Sequence, residues 1–366
     1  MKRIAIIGAG IAGAGVAYFL GNRAETTLIE AEAQPGYHTT GRSAAFYVET
    51  YGGPDIQPLT TASKPFFDSP PAGFAAHPLL SPRGGLHVAN RAGLPALAKL
   101  EAGFAGSGVA MERLSPADIV ALAPQLRPEW QAGAIWEPHC CDIDVAGLHQ
   151  GFLTGARRAG ARLLTDARVI TIRREGNAWR IGTAAGEILC DIIVNAAGAW
   201  GDEIAAVARV APLGLQPMRR TVVVVEVDPA PAAHLPLVVA ADGSFYFKPD
   251  AGRLWVSPHD ETPAPPGDSQ PAELDVATAI DRLERATTAN IRRVERAWAG
   301  LRTFTPNRLP AIGYAEDAPG FFWCVGQGGF GIQTAPAASK LAAALLLGDD
   351  PDLPGVDADL YRPKPR

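Results

Sequence analysis

The chain has few of the residues that mark secreted, metal-binding or nucleic-acid-binding proteins. It carries four cysteines in 366 residues, at Cys140, Cys141, Cys190 and Cys324. None forms a CxxC pair, and the adjacent Cys140 and Cys141 have poor geometry for an ordinary disulfide. Reduced thiols in a cytoplasmic protein are expected. His139 beside the pair has no further ligands at metal spacing, so no metal is expected. Lys and Arg number 33 against 38 acidic residues. No basic block stands out, so the electrostatic footprint of a nucleic-acid binder is missing. Long apolar runs are also scarce. The run from Ile4 to Leu20 follows Lys2 and Arg3 and imitates a signal peptide, but glycines interrupt it in a pattern with another meaning. Residues 341–347 are too few for the ~20 of a membrane span and read as the end of a packed helix. No integral membrane segment is expected.

What is present suits a globular chain. Hydrophobic residues make up 47 % and charged residues 19 %, enough to bury a sizeable core. The length fits about two domains.

Residues 3–7 read as a short buried parallel strand, followed at once by Gly8-Ala9-Gly10-Ile11-Ala12-Gly13 and a small-residue helix face to Leu20. Residues 26–29 read as a second strand ended by Glu30. Gly8 permits the tight turn, Gly10 lets backbone approach a pyrophosphate, and Gly13 lets the helix pack close to the sheet. The helix N-terminus favours the phosphates. Glu30 stands where a carboxylate accepts from ribose hydroxyls and repels a 2′-phosphate, which disfavours NADP. This motif alone leaves FAD and NAD both open.

Three further segments favour FAD. Residues 36–45 bring hydroxyls, glycines and Arg42 into one turn suited to a second phosphate contact. Residues 191–198 form a buried strand ending in small residues, over which a nucleotide can lie. Residues 320–334 read as a strand, a glycine-rich loop and a helix from about Ile332. A helix N-terminus there would stabilise an anionic reduced flavin.

On the segments IIGAGIAGAG, EAQPGYHTTGRSAAFY, HPLLSPR, DIDVAGLHQG, VNAAGAW, PLGLQPMRR, SFYFKPDAG, TIRR, WAGLR and GFFWCVGQGGFGIQT, the chain resembles the D-amino-acid oxidase superfamily of FAD enzymes. Within it the resemblance is greatest to the bacterial D-arginine dehydrogenase group. The resemblance implies an α/β fold: a Rossmann-like FAD domain over 1–45, 143–215 and 297–366, and a substrate domain with a mixed β-sheet over 46–142 and 216–296. The residues agree. Residues 221–227 read as a strand, 245–247 and 253–257 as a hairpin about Pro249-Asp250-Ala251-Gly252, 262–272 as a surface loop and 273–286 as a helix.

The resemblance places non-covalent FAD against Gly8, Gly10, Ile11, Ala12, Gly13, Glu30, Ala31, Thr40, Gly41, Arg42, Ser43, Ala45, Val169 (through its backbone), Ala196, Gly198, Trp200, Arg302, Gly328, Gly329, Gly331, Ile332, Gln333 and Thr334. Cys324 does not match the superfamily's covalent attachment position. For the substrate, the resemblance assigns Arg220 and Arg302 to its carboxylate, a role that suits a planar guanidinium. Tyr246 donates to the same group, Tyr51 sits on a lid hinged at Gly52-Gly53, and the Gly329 carbonyl accepts from the amine. Arg219, a strand neighbour of Arg220, faces the other way. The implied reaction is hydride transfer from Cα to flavin N5, with oxygen or a quinone as final acceptor and no side-chain base.

Two positions depart from the arginine-specific pattern. Gly85 stands where those enzymes carry the glutamate for the guanidinium, and Phe46 replaces a histidine. With Leu237, Val239 and Gln333 they outline a pocket expected to prefer neutral or hydrophobic D-amino acids over D-Arg and D-Lys, unless an acid such as Glu49 or Asp242 compensates. The rivals are a glycine or sarcosine oxidase, a hydroxy-acid or glycerol-phosphate dehydrogenase, and a non-catalytic FAD-binding protein.

Overall fold

The computed structural model describes residues 1–364. Two sheets organise it. The first has six strands in the order Ala311–Tyr314, Phe321–Val325, Ile192–Asn195, Arg3–Ile7, Glu25–Ile29, Arg162–Leu164. All neighbours are parallel except Ala311–Tyr314, which runs antiparallel to Phe321–Val325. The central strands are apolar on both faces because both are covered. Ile4, Ile6, Leu28, Val194 and Phe322 face the helices Ile11–Leu20 and Ala335–Leu347. Their chain neighbours Ala5, Ile7, Ile29, Ile193 and Phe321 point the other way. They pack on helix Gly201–Ala208 and on Trp179, Ile181 and Cys190 of the small sheet Val169–Glu175, Ala178–Thr183, Gly186–Cys190.

The second sheet runs Thr262–Pro263, Gln216–Asp228, Arg253–Ser257, Tyr246–Asp250, Leu237–Ala240, Gly85–Ala89, Gly133–Glu137, Glu112–Arg113. Asn290–Phe304 pairs antiparallel along the whole of Gln216–Asp228, so the expected domain break at 296/297 falls inside a strand. One face of this sheet is core: Leu86, Val88, Val238, Phe247, Leu254 and Val256 meet Ala279, Leu283 and Ala286 of helix Glu273–Ala286. On the other face His87 lies beside Val239, Val239 beside Tyr246, and Tyr246 beside Ser257. That row floors the site described below.

The hairpin register closes on Asp250 opposite Arg253, leaving Ala251 and Gly252 as the loop. Both have positive φ, 47° and 76°, as a two-residue hairpin loop matched to strand twist requires. The last long helix begins at Ala335 rather than near Ile332. Pro336 in its first turn fits a helix start, and residues 328–334 form consecutive turns ahead of it.

Candidate active site

A cavity of about 400 Å³ runs from the Gly8–Ala12 turn past Glu30 and Ala31, Thr39–Thr40, Val169 and Ala196–Trp200 to Leu301–Thr303 and Gln327–Ile332. Its start is built for close backbone approach. Gly8 has φ +98°, and a Cβ there would lie 2.4 Å from the Ala196 carbonyl oxygen. The helix opening at Ile11 has no side-chain cap, which leaves its positive end for an anion. Thr40 Oγ1 accepts from the Ile11 N–H at 3.0 Å. Glu30 ends its strand, and its carboxylate accepts from the Ala9 N–H at 2.9 Å and the Glu32 N–H at 3.0 Å. The acid is thereby tied to the glycine turn it follows by 22 positions.

Some residues expected at the cofactor do not line this cavity. Gly13 serves packing instead: a Cβ would lie 1.9 Å from the Gly8 carbonyl oxygen. Gly41 closes its own loop through Gly41 N–H to Gly36 O at 2.8 Å. Arg42 is turned away, because Asp268 and the carbonyls of Ser269 and Ala299 take its guanidinium. Thr334 is fully buried, its hydroxyl donating to Phe330 O. Ala45 and Gln333 line a second cavity.

That second cavity, of about 210 Å³, shares Ser43, Arg302, Gly329 and Ile332 with the first. Such a volume suits one small molecule. It gathers Tyr51, Arg220, Tyr246, Arg302 and Gly329 with Phe46, Leu237, Val239 and Gln333. Arg220 is 3 % exposed. Its Nε donates to Asp260 O at 2.7 Å and its Nη2 to Glu261 Oε1 at 3.1 Å. Burial opposes its charge, but Tyr51, Tyr246 and Glu261 outweigh that and hold its pKa above the usual value. Arg302 is equally buried, and its Nη1 has no hydrogen-bond partner in the protein. Burial and the nearby Arg220 charge lower its pKa, yet a guanidinium stays charged. An orphaned buried donor is costly, so two cations with one unused donor beside two tyrosines define an anion site. Arg219, by contrast, pairs with Asp275 at 2.7 Å, on the opposite strand face.

Two expected members have other jobs. Gln333 has a saturated amide: Oε1 accepts from Val48 N–H, and Nε2 donates to Tyr51 O and Thr60 Oγ1. It fixes the Tyr51 segment. Gly329 lies against the Tyr51 hydroxyl, which a Cβ would approach to 2.1 Å. Gly52 and Gly53 after Tyr51 both have positive φ. Gly85 does not line the cavity, because Cys140 fills the space a side chain there would enter (a Cβ would lie 3.3 Å from its Cβ). Neither proposed compensating acid lines it either. Glu49 accepts from Thr61 Oγ1 on an exposed face, and Asp242 caps the turn at Ser244.

Three residues outside the sequence reading matter here. His87 lines the cavity, and its Nε2 lies 3.0 Å from the buried carboxylate of Glu137. His259 lies beside Tyr51 and Tyr246. Its Nδ1 is 2.8 Å from the Gly243 carbonyl, which can only accept, so Nε2 is unprotonated. Burial, then the Arg220 charge, push this imidazole down to about 4. His259 has φ +55°, a cost that non-glycine residues bear where surroundings fix them. The strand alternation Gly85-Leu86-His87 was the one sequence signal for His87, since it puts residues 85 and 87 on one face.

The family follows from comparison. A model described as DAO, FAD dependent oxidoreductase, matches residues 3–345, and the chain belongs to this family of FAD-dependent oxidoreductases. It is 25 % identical over 245 residues to a glycine oxidase of Geobacillus kaustophilus, covering 66 % of this chain and 63 % of that one. It is 27 % identical to the bifunctional tRNA 5-methylaminomethyl-2-thiouridine biosynthesis protein MnmC of Polaromonas naphthalenivorans, over 99 % of this chain and 59 % of the other. The chain thus spans about three fifths of these curated relatives. Among solved structures, the G. kaustophilus glycine oxidase superposes with TM-score 0.85 at 22 % identity, covering 100 % and 99 % of the two chains. An L-proline dehydrogenase from P. horikoshii gives 0.82 at 22 % identity, covering 99 % and 96 %. Both share the two-domain α/β fold.

FAD fits the first cavity. Gly8 and Gly13 tolerate no Cβ, the N-cap Gly10 has no side chain to cap the helix, Glu30 stands at the second strand, and Arg302, with its orphaned donor, lies at the far end. None of the four cysteines lines either cavity, and Cys324 is 2 % exposed in the core. Among the described residues, no cluster of three or more His, Cys, Asp or Glu could hold a metal ion, and no helix is long and apolar enough to cross a membrane.

Proposed function

We propose that this chain oxidises the amine of a small amino acid, with the second cavity as the substrate site. The observation that carries this is the pair of buried guanidiniums on the second cavity, of which Arg302, with an unused donor, also lines the first. A substrate carboxylate there takes the free Arg302 donor and the field of Arg220, with Tyr51 and Tyr246 as hydroxyl donors. The Gly329 carbonyl accepts from the amine. Neutral His259 adds no positive charge. Phe46, Leu237 and Val239 form an apolar wall that keeps water from Cα. Bound FAD supplies the hydride acceptor. Orientation then carries the rate, with no side-chain base needed. The released imino acid hydrolyses to a 2-oxo acid and ammonia.

The preferred substrates on this reading are neutral D-amino acids. No acid lines the cavity, so a D-Arg or D-Lys side chain would be buried without a partner. A second reading, oxidation of glycine or a secondary amine such as sarcosine, is favoured by the likeness to glycine oxidase and by the small cavity. Oxygen and a quinone stand equally as final acceptor, and a cytoplasmic location remains part of the proposal. Measuring 2-oxo acid and ammonia released from D- and L-amino acids and glycine, and glyoxylate, methylamine or formaldehyde released from sarcosine, with an artificial acceptor tests both readings. Neutral D-amino acids reacting fastest supports the first, and glycine or sarcosine the second. Release from none of them rejects both.

A further inference from the structure

His87 is set apart from the rest of the cavity wall by what stands behind it. Glu137 is 1 % exposed and accepts four hydrogen bonds, from Glu49 N–H at 2.7 Å, Thr50 N–H at 3.3 Å, Thr50 Oγ1 at 2.7 Å and His87 Nε2 at 3.0 Å. Burial alone would raise its pKa, but the bonds from His87 and Thr50 prevail and hold it below the usual carboxylate value. An ionised carboxylate has no proton to give, so the hydrogen lies on His87 Nε2. The other ring nitrogen, Nδ1, has no protein partner among the hydrogen bonds of the described residues. An unpartnered ring nitrogen on the cavity wall that also carries Phe46, Leu237 and Val239 is not explained by packing.

Its position relative to the carboxylate site follows from register. Tyr246 pairs with Val239, and Val239 with His87. Adjacent strands lie ~4.8 Å apart, which puts His87 roughly 10 Å across the sheet from Tyr246. An amino acid held by Arg302 and Tyr246 would lay its side chain over Val239 with the tip at His87. A side chain of two or three methylenes spans that gap.

We infer that His87, oriented by Glu137, hydrogen-bonds a polar group at the tip of the substrate side chain, so that the enzyme selects uncharged polar amino acids such as glutamine over aliphatic ones of equal length. The inference rests on the second cavity being the amino-acid site. Glu137 acts through His87 as a positioning residue. It is covered by the ring, and its own lone pairs are engaged, so a cationic tip finds no carboxylate in contact.

The test compares kcat/KM for D-glutamine and D-methionine, which have similar length and differ at the tip. The wild-type enzyme is expected to favour glutamine by about tenfold or more, since its amide pairs with a buried ring nitrogen that methionine leaves unpaired. His87→Leu should abolish that ratio, chiefly through KM for glutamine. Because His87→Leu leaves Glu137 short of a donor, the double variant His87→Leu/Glu137→Gln is measured alongside, with the flavin spectrum reporting a folded holoenzyme. A wild-type preference for methionine, or a glutamine-to-methionine ratio unmoved in the folded double variant, overturns the assignment. So does a preference for D-lysine lost in Glu137→Gln but kept in His87→Leu. Amino acids that reduce the flavin with the ratio unmoved reject this inference alone, whereas failure of every amino acid to reduce it rejects the substrate site as well.

Discussion

Arg302 is the one charged residue among the four that line both cavities, and its replacement gives the most informative single perturbation. It is 6 % exposed, and one terminal nitrogen has no protein partner. Arg302→Met removes a buried cation and the donor proposed for the substrate carboxylate, which would leave that carboxylate desolvated. Truncating one side of a buried, hydrogen-bonded charge pair costs ~2–5 kcal/mol. At 1.36 kcal/mol per decade this is a loss of about 30- to 5,000-fold in kcat/KM. Arg302→Lys keeps the charge but loses the planar fork, so it should fall between wild type and Met. Rapid mixing without oxygen separates the components: substrate affinity, from the concentration dependence of flavin reduction, should carry most of the loss. Flavin content, measured on the same samples, reports whether the cofactor cavity is intact. A change below about threefold in Arg302→Met with flavin retained would refute the carboxylate role.

Further expectations follow from local geometry. Gly13→Ala places a Cβ 1.9 Å from a backbone oxygen, so the variant should purify with little flavin, read from its visible absorbance. Gly329→Ala meets only the Tyr51 side chain, its hydroxyl at 2.1 Å, so it should keep flavin and weaken substrate binding. His259 has its pKa lowered from 6.5 to about 4 on folding. As pH falls below 6.5 the unfolded chain takes up a proton that the folded chain refuses. Stability therefore falls between pH 6.5 and 4, by at most ~1.4 kcal/mol per pH unit from this group, and levels off below. Burial lowers His149 in the same direction, so the His259 share is the difference between wild type and His259→Asn in urea midpoint at pH 7 and pH 5. No difference would refute the buried neutral imidazole. The four cysteines are buried, and a thiol reagent should modify none of them until the protein is unfolded.

The cofactor end was readable in the sequence because its determinants are local. Strand, glycines, helix and Glu30 fall within one βαβ unit, and hydrophobic runs covered on both faces mark the parallel strands. Arg220, Tyr246 and Arg302 entered through family likeness, and the fold brings all three to one cavity. What failed is what depends on tertiary direction. Arg42 sits in the right turn, but Asp268, distant in sequence, claims its guanidinium. Gly85 lies two residues from the cavity-lining His87, but Cys140 fills the space beside it. His87 and Glu137 are separated by 50 positions and meet only because their strands pair antiparallel, with Thr50 arriving from a third segment. His259 is neutral because burial and Arg220 make it so, and neither is visible in its neighbours along the chain. The helix start was misplaced by three residues because glycine-rich turns imitate a helical run until Pro336 fixes the first turn.

The central claim, a flavin oxidising an amino acid whose carboxylate sits between Arg220 and Arg302, is tested most directly by mixing the purified holoenzyme, without oxygen, with D- and L-amino acids, glycine, sarcosine and 2-hydroxy acids. The account predicts bleaching of the visible flavin band by neutral amino acids bearing a free carboxylate, and none by the corresponding amines that lack it. Equal bleaching by the decarboxylated amines, or bleaching by hydroxy acids alone, would contradict it.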